Sequence, residues 1–519
     1  LRGYRCEEVR SLPPVGSLKV KEGGWYEVLE FEEREARLSR TLPAYYYGAC
    51  LYKPAITKYN VEGGLRKRLF HLPPEVGDLG TVPRKYPHKP CRTLDGKLKS
   101  PGRHEMYRLL RDFVWKWCKS HLTPLDTLPT FEEVLAEARY TQKRKDQLKT
   151  AAEEASLLPL WKVPVKCFVK DEFYTEPKFL RMISSRMDDA KVRLMPIFKA
   201  IEEEVYKTGY FVKGLRTPER IALIHDRFGM RKVYVTDYSA FETHFTRDVM
   251  NNCEMVMYRY MLQKFPVEYN LVRGLSGRNR LRSQVFKGEL EAVRMSGEMN
   301  TSLGNGFSNL MFMLFAAEMT HNRVINAVVE GDDGLFELDA EPEQAFFRDM
   351  GLELKCQPAH AYDASFCGCV YNPQTLNNIG DPIKALLKLG WSKKRHVNLP
   401  EKKLRELQLA LVYSACAEMR GVPIIWKACD LILSHEKQIT YARARKYFHG
   451  WWEWGCPLYD KAVPPCQEDR EYYADLSGIS VADQLKIEAE LGASYPLMHS
   501  RVLNSYIPDP WLDAWDYVE

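Results

Sequence analysis

Asp237, Asp332 and Asp333 are carboxylates placed at the ends of apolar, β-rich runs. Asp237 closes the run from Lys232 to Thr236. Asp332 and Asp333 lie in Gly331-Asp332-Asp333-Gly334, between Val324 to Val329 and Leu335 to Leu338, a pattern that predicts a hairpin with an acidic turn. Carboxylates converging from separate strands suit magnesium, a hard cation that takes few protein ligands. Two such ions about 3.5–4 Å apart stabilise the attacking and leaving oxygens of an in-line displacement at phosphorus. Attack of a 3′ hydroxyl on an α-phosphate, with loss of pyrophosphate, is a reaction of that kind. A lone Gly-Asp-Asp is more often a surface turn. The same tripeptide with apolar strands attached, and with Asp237 upstream, points to a metal site.

Three other groups of residues could serve that chemistry. Lys170, Lys178, Arg181 and Arg186 form a basic run that could neutralise a triphosphate, Arg by bidentate contact and Lys as a point charge. Taken alone, the run reads as an exposed basic strand. Ser296, Gly297, Thr301 and Asn305 carry hydroxyl and amide groups that can judge a 2′ hydroxyl. Thr301 and Asn305 are one helical turn apart and can share a face, and the block also reads as a capped helix start. Lys355, just past the hairpin, is either a general acid for the leaving pyrophosphate or a surface lysine.

The elements that must position these residues are mixed. Residues 1 to about 100 are rich in Pro, Gly and Tyr and predict irregular structure with a few strands. Helical spacing appears at Met106 to Cys118, Phe131 to Ala138, Lys191 to Lys207, Asp248 to Lys264 and Asn305 to Thr320. Beyond residue 400 helices are expected at Glu401 to Arg420, Val422 to Ser434 and Thr440 to His449, and the last 60 residues show few clean periods. A chain of 519 residues is long enough for two to four lobes.

The balance of 75 Lys and Arg against 69 Asp and Glu gives a net charge of +6, too little to prove a nucleic-acid partner. The distribution says more. Basic clusters stand at Arg66-Lys67-Arg68, Lys143-Arg144-Lys145, Arg278 to Arg282 and Lys393-Lys394-Arg395, and several around one cleft would track a phosphate backbone. The 13 cysteines are scattered and odd in number, which fits free thiols in a reducing compartment. Cys356, His360, Cys367 and Cys369 are zinc-capable, but their spacing matches no standard module, and free buried thiols are favoured over a structural zinc. The sequence shows no signal peptide and no apolar stretch long enough to span a bilayer. It begins at Leu1, which reads as a processed product or a fragment, so an anchor outside it stays open.

In this order the blocks resemble the motifs of RNA-dependent RNA polymerases from positive-strand RNA viruses, in the tombusvirus-like branch with its flavivirus and nodavirus relatives. Asp237, Glu242 and His244 resemble the first motif, although the family usually has Asp where Glu242 stands. Ser296, Gly297, Thr301 and Asn305 match the second motif in full, and Gly331-Asp332-Asp333 matches the third. Phe168 to Lys170 with Arg181 to Arg186 resembles the nucleotide-gripping motif of the fingers. Tyr140 to Lys145 resembles the template-entry element, which gives Lys143, Arg144 and Lys145 an RNA-binding role. Lys355 falls at the lysine of the fourth motif, and Ser365 to Gly368 resembles the primer grip. The likeness is good over residues 140 to 370 and rests on order alone outside them.

The resemblance implies an α+β fold, a closed right hand with fingers, a palm built on an antiparallel sheet with an RRM-like core, and a helical thumb. The expected divisions are 1–130 for the N-terminal region and fingertips, 131–231 for fingers, 232–372 for palm with a fingers insertion near 265–290, and 373–519 for thumb and tail. It implies two magnesium ions, replaceable by manganese, held by Asp237, Asp332 and Asp333. Nucleoside triphosphates, an RNA template and nascent RNA are the expected partners, with no DNA. Other viral replication proteins and host membranes would join through a region outside this chain, in a membrane-associated replication complex in the host cytoplasm.

Rival readings are a reverse transcriptase, against which the Ser296 to Asn305 block argues, and an RNA-binding scaffold with a dead polymerase fold, against which the intact carboxylates argue. Primer-independent initiation is implied by the branch. Tyr506, Trp511, Trp515 and Tyr517 either stack on a first base pair or pack on the thumb, and packing is favoured.

Overall fold

In the computed structural model, the chain is described over residues 24–34, 54–73, 103–138, 140–155, 158–172, 178–389, 399–447 and 461–507, with Tyr174 and short strands at 4–5, 37–40, 45–47, 91–92, 98–99 and 391–392. Lys393-Lys394-Arg395, Trp511, Trp515 and Tyr517 lie outside the described residues.

An antiparallel sheet of four strands forms the centre, in the order Val324–Glu330, Asp333–Leu338, Lys232–Tyr238, Leu354–His360. Alternation along each strand divides its side chains between two cores. Ala327, Val329, Phe336 and Tyr238 face the larger core, where the helix Thr301–Met319 lies. Val328, Leu335 and Val233 face a second core closed by the helix Thr217–Phe228. Thr301–Met319 is buried without a break from Leu303 to Met313, as expected of a helix that is apolar nearly all round. Each large side chain buried here contributes about 1.5–3 kcal/mol, so the sheet ends that carry the carboxylates stand on a firm base.

A second sheet has five strands in the order Trp25–Val28, Phe286–Glu291, Arg278–Arg282, Val165–Val169, Met182–Arg186. Downstream, the helices Glu401–Glu418, Ile425–His435 and Val481–Ala493 share a separate core around Leu409, Val412, Ile432, Ile487 and Leu491. Buried Asp469 ties this unit to the loop after the central sheet. Its carboxylate accepts from Asn372 Nδ2 at 2.8 Å, Thr375 Oγ1 at 2.6 Å and Asn377 Nδ2 at 2.7 Å.

The mixed α+β expectation agrees with these elements. Several boundaries differ. The stretch from Asp248 to Lys264 is broken at Cys253 into Arg247–Asn252 and Glu254–Met261. The long apolar helix starts at Thr301, four residues before the expected Asn305, with Asn300 at its N-cap and no side-chain capping bond. Helices at Gln467–Ser477 and Val481–Ala493 occupy a region where the sequence showed little periodicity. Tyr506 donates to Asp483 Oδ2 at 2.6 Å, so this tail aromatic packs on the C-terminal unit.

Candidate active site

The strand Lys232–Tyr238 runs one residue past Asp237, which puts that carboxylate between two neighbours. On one side, Lys355 is its direct antiparallel partner. On the other, Gly334 pairs with Thr236, so Asp333, the next residue, stands level with Asp237. Glu330 and Asp333 close the hairpin, leaving Gly331 and Asp332 as its turn. Gly331 has φ +59°, in the left-handed region that favours glycine. Asn309, from the helix Thr301–Met319, donates its side-chain amide to the main-chain oxygen of Asp332 at 3.0 Å and fixes the turn from below.

The site is crowded with negative charge. Burial, then the charges of Glu242 and Asp237, push the Asp332 carboxyl above the usual range, while Arg68 pulls it back. Burial and the charge of Asp332 push Asp333 up to about 6, against a hydrogen bond from Cys367. Asp237 and Asp332 nonetheless reach solvent. They lie on an open floor whose surroundings displace much of the water. Ala240 (φ 49°) and Cys367 (φ 50°) hold left-handed backbone beside the acidic residues, a strained conformation for side chains other than glycine.

His244 joins two parts of this floor. Its Nε2 accepts from the Glu353 main-chain N–H at 2.9 Å, so the ring is neutral at that nitrogen, and Nδ1 can donate to the Phe241 oxygen at 3.2 Å. The ring is fully buried. It holds the turn carrying Glu242 against the strand carrying Lys355.

The Ser296 to Asn305 block is stitched to the strand Met182–Arg186. Ser296 Oγ accepts from the Ser184 N–H at 3.2 Å, and the Gly297 N–H donates to the Ser184 oxygen at 2.8 Å. A Cβ on Gly297 would come within 2.9 Å of Ser185 Cβ. Thr301 is committed to the main-chain oxygens of Met295 (3.1 Å) and Glu298 (3.0 Å). Asn305 is buried, and its Oδ1 accepts from Arg294 Nε at 3.1 Å. Ser302 Oγ donates to Glu330 Oε1 at 2.9 Å and links the helix to the hairpin.

Arg186 corrects an expectation. It is buried, with Nε donating to Glu298 Oε1 at 2.7 Å and Nη2 to Asn279 Oδ1 at 2.7 Å. A guanidinium held this way braces the Ser296 to Asn305 block and is not a free surface cation for phosphate. Lys170 and Arg181 do remain together at the end of the antiparallel pair Val165–Val169 and Met182–Arg186, sharing Glu172 at 2.9 and 3.5 Å. Burial raises the Glu172 carboxyl, but the Tyr174 hydroxyl and the two cations outweigh it and hold it low. Lys178 is exposed, 5.7 Å from the Tyr174 ring.

Arg68 is the cation the sequence did not single out. Its charge lowers the carboxyl of Asp332 and the hydroxyl of Tyr174, so it acts on both the acidic floor and the basic strand pair. Its helix Lys58–Lys67 packs there because Gly64 lets the backbone approach Leu180, whose oxygen a Cβ would meet at 2.3 Å. His71, three residues on, lies 3.3 Å from Glu353. By sequence alone Arg66-Lys67-Arg68 looks like any basic surface run.

The fold also places the basic template-entry element and the zinc-capable residues. In the template-entry element, Arg144 donates twice to Asp188, at 2.7 and 2.6 Å, and Lys145 Nζ donates to the Ala136 oxygen at 2.8 Å. Both are engaged within the protein, whereas Lys143 is exposed. The zinc alternative fails on the fold. Cys356 packs against the core on one face of the sheet, and Cys367 and Cys369 against the core on the other. His360 instead stacks on Tyr362 at 5.3 Å. Cys356, Cys367 and Cys369 are free thiols.

Among the described residues no three His, Cys, Asp or Glu side chains form a ready-made metal cage. The donor chemistry still fits magnesium. Hard, solvent-reachable carboxylates repel one another here, and magnesium keeps several waters while using one or two such ligands.

Residues 280–415 match a family model described as RNA dependent RNA polymerase. That span holds Ser296 to Asn305, the hairpin and Lys355, and begins after Asp237. The RNA-directed RNA polymerase of striped jack nervous necrosis virus is 24% identical over 269 residues, covering 47% of this chain and 26% of the relative. The chain therefore spans about a quarter of the length of that curated relative. Over these spans the chain is similar to RNA-dependent RNA polymerases, among them that of a fish nodavirus.

Proposed function

We propose that this chain is an RNA-directed RNA polymerase that copies a positive-strand viral genome by nucleotidyl transfer. The observation that carries the reading is the level arrangement of Asp333, Asp237 and Lys355 on three adjacent strands, with Asp332 in the neighbouring turn. Asp237, Asp332 and Asp333 would hold two magnesium ions, which supply charge stabilisation at the attacking and leaving oxygens when bound. Lys170, Arg181, Lys178 and Arg68 bind the triphosphate electrostatically and orient it toward the acidic floor. Glu242 and Asn305 face the ribose and favour the 2′ hydroxyl. Lys355 holds a proton for the departing pyrophosphate. Lys143 meets the template backbone.

On this reading the central sheet is the palm of a right hand, residues 131–231 belong to the fingers, and residues 373–519 form the thumb and tail. Synthesis starts without a primer, in a membrane-associated complex of the host cytoplasm with other viral proteins. No helix among the described residues is long and apolar enough to cross a membrane.

The test is incorporation of ribonucleotides on a primer-free RNA template with magnesium, with product lengths mapped on a gel. Template-length RNA that disappears with Asp332→Ala supports the proposal. Synthesis that survives that substitution, or a preference for deoxyribonucleotides, overturns it.

A further inference from the structure

Arg294 is fully buried and touches both candidate sugar-reading residues. Its main-chain N–H donates to the Glu242 main-chain oxygen at 3.1 Å. Its Nε donates to Asn305 Oδ1 at 3.1 Å. The rest of the guanidinium is anchored deeper, with Nη2 2.6 Å from Glu254 Oε2, Nη1 3.8 Å from Glu298 Oε2, and the Phe245 ring 4.5 Å from Cζ.

The surroundings are built for this side chain. A Cβ on Gly304 would come within 2.5 Å of both Arg294 Nη2 and Glu254 Oε2, so only glycine leaves room for the pair inside the helix interface. Tyr258 donates to Glu254 Oε2 at 3.1 Å, and Asn300 Nδ2 donates to Tyr258 at 2.9 Å. Glu298 in turn holds Arg186. A buried ion pair of this kind is poor value as a stabiliser, because desolvation offsets most of the attraction. What it supplies is a fixed position.

We propose that Arg294 is a positioning residue for sugar discrimination: it sets the separation of Asn305 from Glu242, holding one by its guanidinium and the other by its backbone. The inference rests on the polymerase reading and deepens it. A site arranged to hydrogen-bond a hydroxyl rejects a substrate lacking it, because the buried polar groups are then left unpaired. That rejection depends on the amide of Asn305 being unable to turn away. With Oδ1 held by Arg294, its orientation is set before the nucleotide arrives.

The experiment measures kcat/KM for a ribonucleotide and its 2′-deoxy counterpart on an RNA primer–template, in wild type, Arg294→Lys, Asn305→Ala and the double variant. Lysine keeps a charge beside Glu254 and Glu298 but cannot reproduce the Nε donor in the same place. The expected result is a fall in the ribo/deoxy ratio of about tenfold in Arg294→Lys, the size of one lost hydrogen bond. RNA affinity should be unchanged, and the double variant should lose no more than Asn305→Ala alone. Equal slowing of both substrates, or an unchanged ratio, overturns the proposal. If Arg294→Lys does not fold, Glu254→Gln decides, since Glu254 touches neither reader. A lowered ratio there supports the inference, and an unchanged ratio with a lowered melting temperature overturns it. Wild type that incorporates neither nucleotide sinks the polymerase reading itself, an outcome distinct from wild-type synthesis with an unaltered ratio in the variants.

Discussion

Lys355 stands directly across from Asp237 in the antiparallel pair formed by Leu354–His360 and Lys232–Tyr238, and both residues are exposed. Direct cross-strand partners project to the same face, so the ammonium and the carboxylate share one surface. A proton donor there lies beside the acidic floor. Lys355→Met is expected to slow single-turnover incorporation by about 10²-fold, at the lower end of general-acid effects. A rate equal to wild type would leave Lys355 as a surface lysine.

Asp332→Ala should abolish turnover while leaving the fold intact. Asp332 is in an exposed turn whose geometry is fixed by Gly331 and by Asn309 bonding the main chain, neither of which needs the carboxylate. Loss of charge stabilisation at the transition state corresponds to 10³-fold or more, of the order of several kcal/mol. Circular-dichroism melts alongside the incorporation assay separate the two effects.

Asp333 gives a pH signature. Its folded pKa is raised to about 6 from 3.8, so the folded state binds its proton more tightly than the unfolded state does. Stability of the chelator-treated protein should therefore increase as pH falls from about 6 toward 4, and drop as pH rises through 6. The contribution is roughly 1–3 kcal/mol. Asp333→Asn should flatten that slope in denaturant titrations. Magnesium added at neutral pH should raise the melting temperature of wild type and do so less in Asp332→Ala, since binding to the folded state alone stabilises it.

Arg68→Ala should raise KM for nucleoside triphosphates about tenfold with a smaller change in kcat, the size expected of one charge-assisted hydrogen bond. Lys170→Ala should act in the same direction, whereas Arg186→Ala should lower thermal stability because it strips Glu298 of a buried partner. Steady-state kinetics over a range of nucleotide concentrations, paired with melts, distinguish them.

Gly304→Ala should destabilise the protein by about 1–3 kcal/mol, since a methyl group would press on the buried Arg294 and Glu254 pair. A denaturant midpoint equal to wild type would show that the helix can shift to admit it.

The acidic hairpin was readable because turn residues between two β-rich runs leave few alternatives, and its strands fall where the apolar residues lie. The capped helix at Phe131–Glu137 was equally plain, with Thr130 and Glu133 bonding reciprocally. The helices after Gln467 were less legible, since charged and aromatic residues there are scattered around the helix and tertiary packing selects the buried face.

By itself, the sequence determined which groups are candidates for the chemistry: residue type and local spacing are enough to single out Asp237, the hairpin carboxylates and the Ser296 to Asn305 block. Only the tertiary structure decided how each cation is partnered. Arg186 is buried against Glu298, Arg144 pairs with Asp188, and the charge of Arg68, far along the chain, acts on Asp332. Charge is written in the residue, but whether it is neutralised depends on neighbours distant in sequence, and those are set by how the sheets and helices pack.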